Sequence, residues 1–373
     1  SKAAERFALK QSQAFVDQME GFALELEDEL MNFSDVSYKS FVKSESEIIT
    51  LFYDKFADIP LLSRMDAVAE TFIDEIETLL NRDLPEEERI PLIEKFRKMY
   101  ETMDFYVLYN RFLKKEGYQT LPRRPLEKRK LRYEDVYPVL YLKYRLSRQA
   151  ERSNIKHLVI DEMQDYSRLQ YLIIRRMFSC KMTILGDRAQ TMADQQQDVL
   201  QFLPGIFGKD LRRIEMRKSY RNTMEIASYA ANLIGVTDLE LFERHEMPVL
   251  ERNVTDLEAA LREAVDTLFP DEKTYETAAV IVPDEKTAER AYLILREILA
   301  EKDFDCEKRL SWLNRDSSSF KKGLTVTTFY LAKGLEFDQV FSIFPKDEKR
   351  EMMMQAQYIA ATRALHELRV YHI

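Results

Sequence analysis

Between Phe7 and about Leu113 the apolar positions recur at intervals of three and four. Phe15, Met19, Phe22 and Leu26 share one helical face, and Leu92, Phe96, Tyr100 and Met103 share another. Gly and Pro are scarce there. Pro85 followed by Glu86, Glu87 and Glu88 reads as a helix start, with proline in the first turn and the acids facing the positive end of the dipole. The pattern predicts an all-helical segment over residues 1–130, its methionines and aromatics forming core rather than a ligand site. In the run Leu24 to Glu29, the side chains of Glu25, Glu27, Asp28 and Glu29 belong to the solvated side. A further helix is expected with Asp135 as cap, which places Pro138 in its first turn. Val139, Leu142 and Leu146 then share one face, and Tyr137, Tyr141 and Tyr144 pack along another.

From Ile155 the period changes. Short apolar runs alternate with amphipathic stretches, the pattern of a parallel sheet covered by helices, and the fold class is α/β. Strands are expected at 157–161, 182–186, 211–216, 277–282, 324–328, 339–344 and 368–372. A break just before Leu211 divides this half into two lobes, residues 131–210 and 211–373.

Composition narrows the class. The chain has 373 residues, 45% hydrophobic and 32% charged, which fits a globular protein of two or three domains. Cys180 and Cys306 are far apart and form no CxxC, which argues against a disulfide framework or a zinc site and for a reducing, cytoplasmic setting. No apolar run has the ~18 residues that cross a bilayer, so no membrane role is expected. A net charge of −9 excludes an overall basic nucleic-acid coat, leaving local patches for any such contact. The run from Arg123 to Arg132 is one basic patch. It reads either as a phosphate-contacting loop or as a solvated linker, and within an acidic chain the linker is the simpler reading.

Candidate chemistry begins where the apolar run Leu158–Ile160 ends on two carboxylates, Asp161 and Glu162. At the carboxyl end of a buried strand, Asp161 can hold Mg²⁺ through a water ligand and Glu162 can orient or deprotonate an attacking water. Such pairs are common on surfaces, so the motif gains meaning only from its neighbours. A second strand ends in Gly186-Asp187, 26 residues after Asp161, with Gln190 three residues further on and within reach of a phosphate or water. Gly186 permits a tight exit from that strand. Then comes SYRNT, where Tyr220 offers a ring face for a base, Arg221 a planar fork for a phosphate, and Asn222 or Thr223 a helix cap. In TFYLAKGLEFD, Gly334 allows close backbone approach and Glu336 can accept from a ribose hydroxyl. In YIAATRA, Arg363 can supply a cation to a γ-phosphate, the alternative being a surface arginine paired with Glu367 one helical turn on.

In this order the motifs resemble superfamily 1 helicases of the UvrD, Rep and PcrA type. DEMQD is similar to their Walker B, GDRAQ to motif III, SYRNT to motif IV, TFYLAKGLEFD to motif V and YIAATRA to motif VI. The wording LRYEDVYPVLYLK, DYSRLQY and YLAKGLEFD resembles most the HelD branch, bacterial RNA polymerase-associated helicase-like ATPases that carry a helical insertion before Walker B. The resemblance implies RecA-like lobes, with residues 1–130 as insertion, 131–210 as the C-terminal half of the first lobe and 211–373 as the second. It implies ATP and Mg²⁺ as cofactors, and nucleic acid, DNA foremost, and RNA polymerase as partners. It also implies Asp161 on the metal, Glu162 on water, and Gln190 coupling phosphate to lobe closure. Arg221 and Arg363 would clamp the γ-phosphate, Tyr220 would stack adenine and Glu336 would hold ribose.

One departure matters. No GxxxxGK[ST] occurs, so the loop that wraps the β- and γ-phosphates is missing from this sequence. A fragment beginning after that loop is the preferred reading over a decayed motor, because Glu162, Gln190, Arg221 and Arg363 are all retained. The rival readings are a UvrD-type DNA-unwinding repair helicase and a noncatalytic RNA polymerase-binding module.

Overall fold

A computed structural model describes residues 2–148, 154–187, 199–216, 218–236, 240–269, 275–302, 305–315, 322–346 and 351–373. The chain divides into two compact units, Ser1–Gly186 with Gln197–Leu211, and Asp187–Gln196 with Arg212–Ile373.

The first unit opens with helices α1 (Lys2–Gln11) and α2 (Gln13–Glu29), then a hairpin of β1 (Val36–Tyr38) and β2 (Phe41–Lys43). Helices α3 (Glu45–Thr50), α4 (Arg64–Leu80), α5 (Glu86–Arg97), α6 (Phe105–Lys115) and α7 (Tyr133–Leu146) follow. The expected stripe of α2 is the buried one: Phe15, Met19, Phe22 and Leu26 all face the core. The hairpin departs from the wholly helical expectation. Its strands are three residues each, and its turn uses Lys39 at φ 53 where no glycine or asparagine announces a turn.

Helix α7 also departs from expectation. Arg132 occupies the cap position, and Asp135 lies inside the first turn at 1% exposure, ion-paired with Lys10 and accepting from the Tyr109 hydroxyl at 2.8 Å. Burial of that carboxylate is offset by its two partners, an advantage that outweighs capping. Pro138 consequently falls in the second turn, where its missing N–H forfeits a helical bond.

The sheet of this unit is a two-stranded parallel pair, β3 (His157–Ile160) and β4 (Lys181–Ile184), joined through α8 (Arg168–Met177), with α9 (Val199–Phe207) beyond. The core of the helical segment does not stop at residue 130. It runs on without a break through Tyr141, Leu142 and Leu146 of α7 to Leu169 and Ile173 of α8. The other side of α8 packs Tyr171 against Ile160, Phe202 and Leu203.

The second unit contains β5 (Lys218–Ser219), α10 (Met224–Ile234), β6 (Glu240–Leu241), β7 (Leu250–Asn253), α11 (Leu257–Asp266), β8 (Thr277–Val282) and α12 (Glu285–Ala300). It continues with α13 (Cys306–Arg309), β9 (Leu310–Trp312), β10 (Gly323–Thr328), β11 (Phe337–Phe344), α14 (Glu351–Ala361) and β12 (Ala364–His372). Six strands form one sheet in the order β7-β12-β11-β8-β10-β9, every pair parallel. Alternation along β8 sends Ala278, Val280 and Val282 to a core with α11 and α12, and Ala279 and Ile281 to a core with α10 and α14. This is the helix-covered parallel sheet of the expected α/β, RecA-like class.

The expected strand at 211–216 is absent. Among the described residues no strand pairs with 211–216, Ile214 and Met216 stand exposed, and strand pairing is found at Lys218. Strands β5, β6, β7 and β9, each of two to four residues, lie outside the expected pattern because none contains an apolar run such as those of β3 and β4.

Candidate functional site

In the first unit, the ladder of β3 and β4 is extended by Leu185 N–H donating to Ile160 O at 2.7 Å and Met163 N–H donating to Leu185 O at 2.8 Å. The chain therefore turns immediately after Asp161, and Glu162 adopts the left-handed conformation, φ 51 and ψ 51. For a non-glycine residue this costs about 1 kcal/mol or more and persists only when its surroundings dictate it. They do here. The Tyr171 hydroxyl of α8 donates to Met163 O at 3.0 Å, Asp161 Oδ1 accepts the Glu162 N–H at 2.8 Å, and the Gln164 amide donates to Glu162 Oε2. Asp161 remains exposed and Glu162 half-buried. A Cβ on Gly186 would stand 2.3 Å from Met163 Cγ and 2.7 Å from Met163 N. Gly186 is thus required by the closeness of this turn, and its φ is not in the left-handed region. Gln190 lies outside the described residues.

In the second unit, three sequence-distant motifs meet at the amino ends of β11 and β12. Arg221 Nε pairs with Glu336 Oε1 at 2.7 Å, both side chains half-exposed. The Asn222 amide, buried, donates to the carbonyls of Thr362 at 3.2 Å and Ala364 at 2.6 Å. Thr223 is the cap of α10, accepting from the Ile226 N–H, so Asn222 serves as a tie between segments. Gly334 has φ 77 with open space around its Cα, so conformation rather than close approach requires glycine. Tyr220 is 60% exposed and leans on Phe242 with ring centroids 5.6 Å apart.

Arg363 sits in the turn between α14 and β12, 2% exposed. Its guanidinium donates to Ile359 O at 3.3 Å, Leu335 O at 3.4 Å and Thr362 Oγ1 at 3.2 Å. The surface pairing with Glu367 is therefore overturned. Glu367 is a residue of β12, buried, paired with Arg369 at 2.6 Å and accepting from Gln339. Also in this unit, the Tyr358 hydroxyl donates to Asp187 Oδ2 at 3.0 Å. Burial first, and the Asp187 charge second, push the Tyr358 phenol well above its ordinary range, so it acts as a fixed donor. Sequence reasoning missed Tyr358 and the tie made by Asn222, because both depend on partners more than a hundred residues away.

The sequence family described as UvrD/REP helicase N-terminal domain matches residues 4–192. The chain belongs to the UvrD/REP helicase family. No curated protein matches it. Among solved structures, it is similar to the C-terminal domain of a possible DNA helicase from Lactobacillus plantarum WCFS1, with 23% identity over 42% of this chain and 88% of that one, TM-score 0.32. The arterivirus nonstructural protein 10 helicase in complex with DNA matches at 13% identity over 72% of this chain and 51% of that one, TM-score 0.32. The DUF1998 helicase MrfA bound to DNA matches at 12% identity over 59% and 29%, TM-score 0.34. The chain thus spans about half the length of the arterivirus helicase.

The matched residues of this UvrD/REP chain include Asp161 and Glu162 and end before Arg221, Glu336 and Arg363. Among the described residues, no cluster of three or more His, Cys, Asp or Glu side chains could hold a metal alone. A Mg²⁺ on Asp161 would take its remaining ligands from phosphate and water, the usual arrangement for that ion. No described helix is long and apolar enough to cross a membrane.

Proposed function

We propose that this chain is part of an ATP-driven superfamily 1 motor of the HelD type, which couples hydrolysis to the remodelling of nucleic-acid or RNA polymerase complexes. The observation that carries the reading is the convergence of Arg221, Asn222, Glu336 and Arg363 on one edge of a parallel sheet, from three separate stretches of chain. Bound ATP with Mg²⁺ supplies a phosphoanhydride and its counter-charge. Asp161 would hold the metal, which would supply counter-charge to the phosphates, and Glu162, its carboxylate oriented by Gln164, would accept a proton from the attacking water. Arg221, held in place by Glu336, would exchange that carboxylate for a phosphate oxygen, and Arg363 would add a second fork by leaving the Ile359 and Leu335 carbonyls it now serves. Tyr220 offers its exposed ring to adenine, Glu336 a carboxylate to ribose, Gly334 the turn between them, and Gln190 couples phosphate to closure.

The test has two arms. Purified chain should show little or no ATP turnover, because no phosphate-wrapping loop occurs in it; turnover at a motor's rate, abolished by Glu162→Gln, would overturn the fragment reading. Co-elution of the chain with bacterial RNA polymerase separates the HelD type from the repair-helicase reading. Absence of any complex at micromolar concentrations favours the latter.

A further inference from the structure

The stretch Arg123–Arg132 holds six cations and one acid, Glu127. Many arginines elsewhere in the first unit pair with carboxylates: Arg6 with Glu134, Arg64 with Glu27, Arg89 with Glu70 and Glu77, Arg97 with Asp66, and Arg111 with Glu101. Within the stretch only Arg129 is ion-paired among the described residues, with Asp104, and it also donates to Arg124 O at 3.0 Å and lies 4.8 Å from the Tyr106 ring centroid. Arg123, Arg124, Lys128 and Lys130 are exposed, and among the described residues no carboxylate lies within ion-pair reach of any of them.

The segment is also held in shape. Leu121 is buried, its N–H and carbonyl both bound by the Asn110 amide, the Tyr106 hydroxyl donates to Pro122 O at 2.6 Å, and Arg132 donates to Gln119 at 3.2 Å. A solvated linker needs neither these anchors nor a cluster of unneutralised like charges, which repel one another in an otherwise acidic chain. Next to Arg132 in the chain, Tyr133 stacks on Phe7, centroids 5.5 Å apart, meets the Tyr137 ring edge to face at 5.9 Å, and is still 66% exposed.

We infer that this loop is a contact site for single-stranded nucleic acid, with Arg123, Arg124, Lys128 and Lys130 on successive phosphates and a base against the exposed part of the Tyr133 ring. The inference rests on the motor reading and gives it a substrate surface on the helical unit. Cations paired with phosphodiesters release counterions, and an aromatic face is used only by an unstacked base.

The experiment measures binding of the purified chain to fluorescein-labelled oligothymidylate of about 20 nucleotides and to a duplex of equal length, across a salt series. The quadruple variant Arg123→Ala, Arg124→Ala, Lys128→Ala, Lys130→Ala keeps Arg129 and should retain the wild-type circular dichroism and Tm. It should weaken single-strand binding at least ~10-fold at low salt and flatten the slope of log K against log salt by about 3, four contacts at about 0.7 each. Tyr133→Ala should lower single-strand affinity roughly 5-fold or more while sparing the duplex. Wild-type binding that is unchanged in slope and strength in the quadruple variant overturns the loop assignment alone. Equal loss of both probes in Tyr133→Ala overturns the single-strand assignment. If polyglutamate displaces oligothymidylate at equal charge concentration, the surface is built for an acidic protein and the proposal falls. No binding of either probe by the wild-type chain overturns this proposal and leaves the motor reading to the turnover and co-elution tests.

Discussion

The amide of Asn222 donates to the carbonyl of Ala364 at 2.6 Å, joining residues 142 positions apart. With its second bond to Thr362 it locks the segment bearing Arg221 to the turn bearing Arg363. Asn222→Ala leaves two carbonyls without that donor, at a cost of about 2 kcal/mol in the second unit, read as a lowered urea midpoint. Asn222→Asp should be worse at neutral pH, since a carboxylate then faces two carbonyl oxygens. If both variants unfold like the wild type, the tie is not structural.

Gly186→Ala tests the turn after β3. The added methyl would meet Met163 backbone as well as side chain, so yielding requires movement of the segment that carries Asp161 and Glu162. A loss of about 1–3 kcal/mol is expected. Thermal melting of the chain measures it, and a neutral substitution would show that the turn has room.

Arg221 and Arg363 should separate in a stability assay. Arg221 forms a half-exposed pair with Glu336, so Arg221→Ala should cost under about 1 kcal/mol. Arg363 is buried and serves two backbone carbonyls, so Arg363→Ala should cost about 1–3 kcal/mol and Arg363→Lys should recover only part. In a longer form carrying the phosphate loop, each alanine variant should also lower kcat roughly 10³-fold. A form in which Arg221→Ala hydrolyses ATP at the parental rate would remove it from the phosphate clamp.

Acid should loosen the first unit through Glu20. Burial pushes its carboxyl upward, but the Tyr141 hydroxyl, Arg145 at 2.9 Å and Arg176 at 3.2 Å more than reverse this, and the net shift is below the ordinary 4.5. A folded-state pKa below the unfolded one stabilises above the unfolded value and is lost as pH falls through the folded one. Unfolding midpoints should therefore decline from about pH 5 downward, and Glu20→Gln should flatten that decline.

The sequence revealed what period and order can reveal. Six of the seven expected strands and the stripe of α2 are legible because burial leaves its apolar spacing in the chain. Asp135 misled because a cap is a local signal, whereas its actual partners, Lys10 and Tyr109, come from other helices. Arg363 was assigned to a surface or a nucleotide, and its present partners are backbone carbonyls that no side-chain pattern announces. The pairing of Arg221 with Glu336 is hidden for a related reason, since the two residues lie 115 positions apart in separate motifs.

Helix α8 has apolar side chains on two sides and polar ones between. Leu169 and Ile173 belong to the core of the helical segment, while Tyr171 packs under β3 and its hydroxyl steadies the strained residue after Asp161. Within this unit the helical segment and the acidic turn are therefore parts of one solid body, and neither can be loaded without the other bearing some of the force. A partner gripping the outer helices would have, in α8, a stiff rod leading to the carboxylates, and a truncation removing those helices would strip that rod of half its bearing surface.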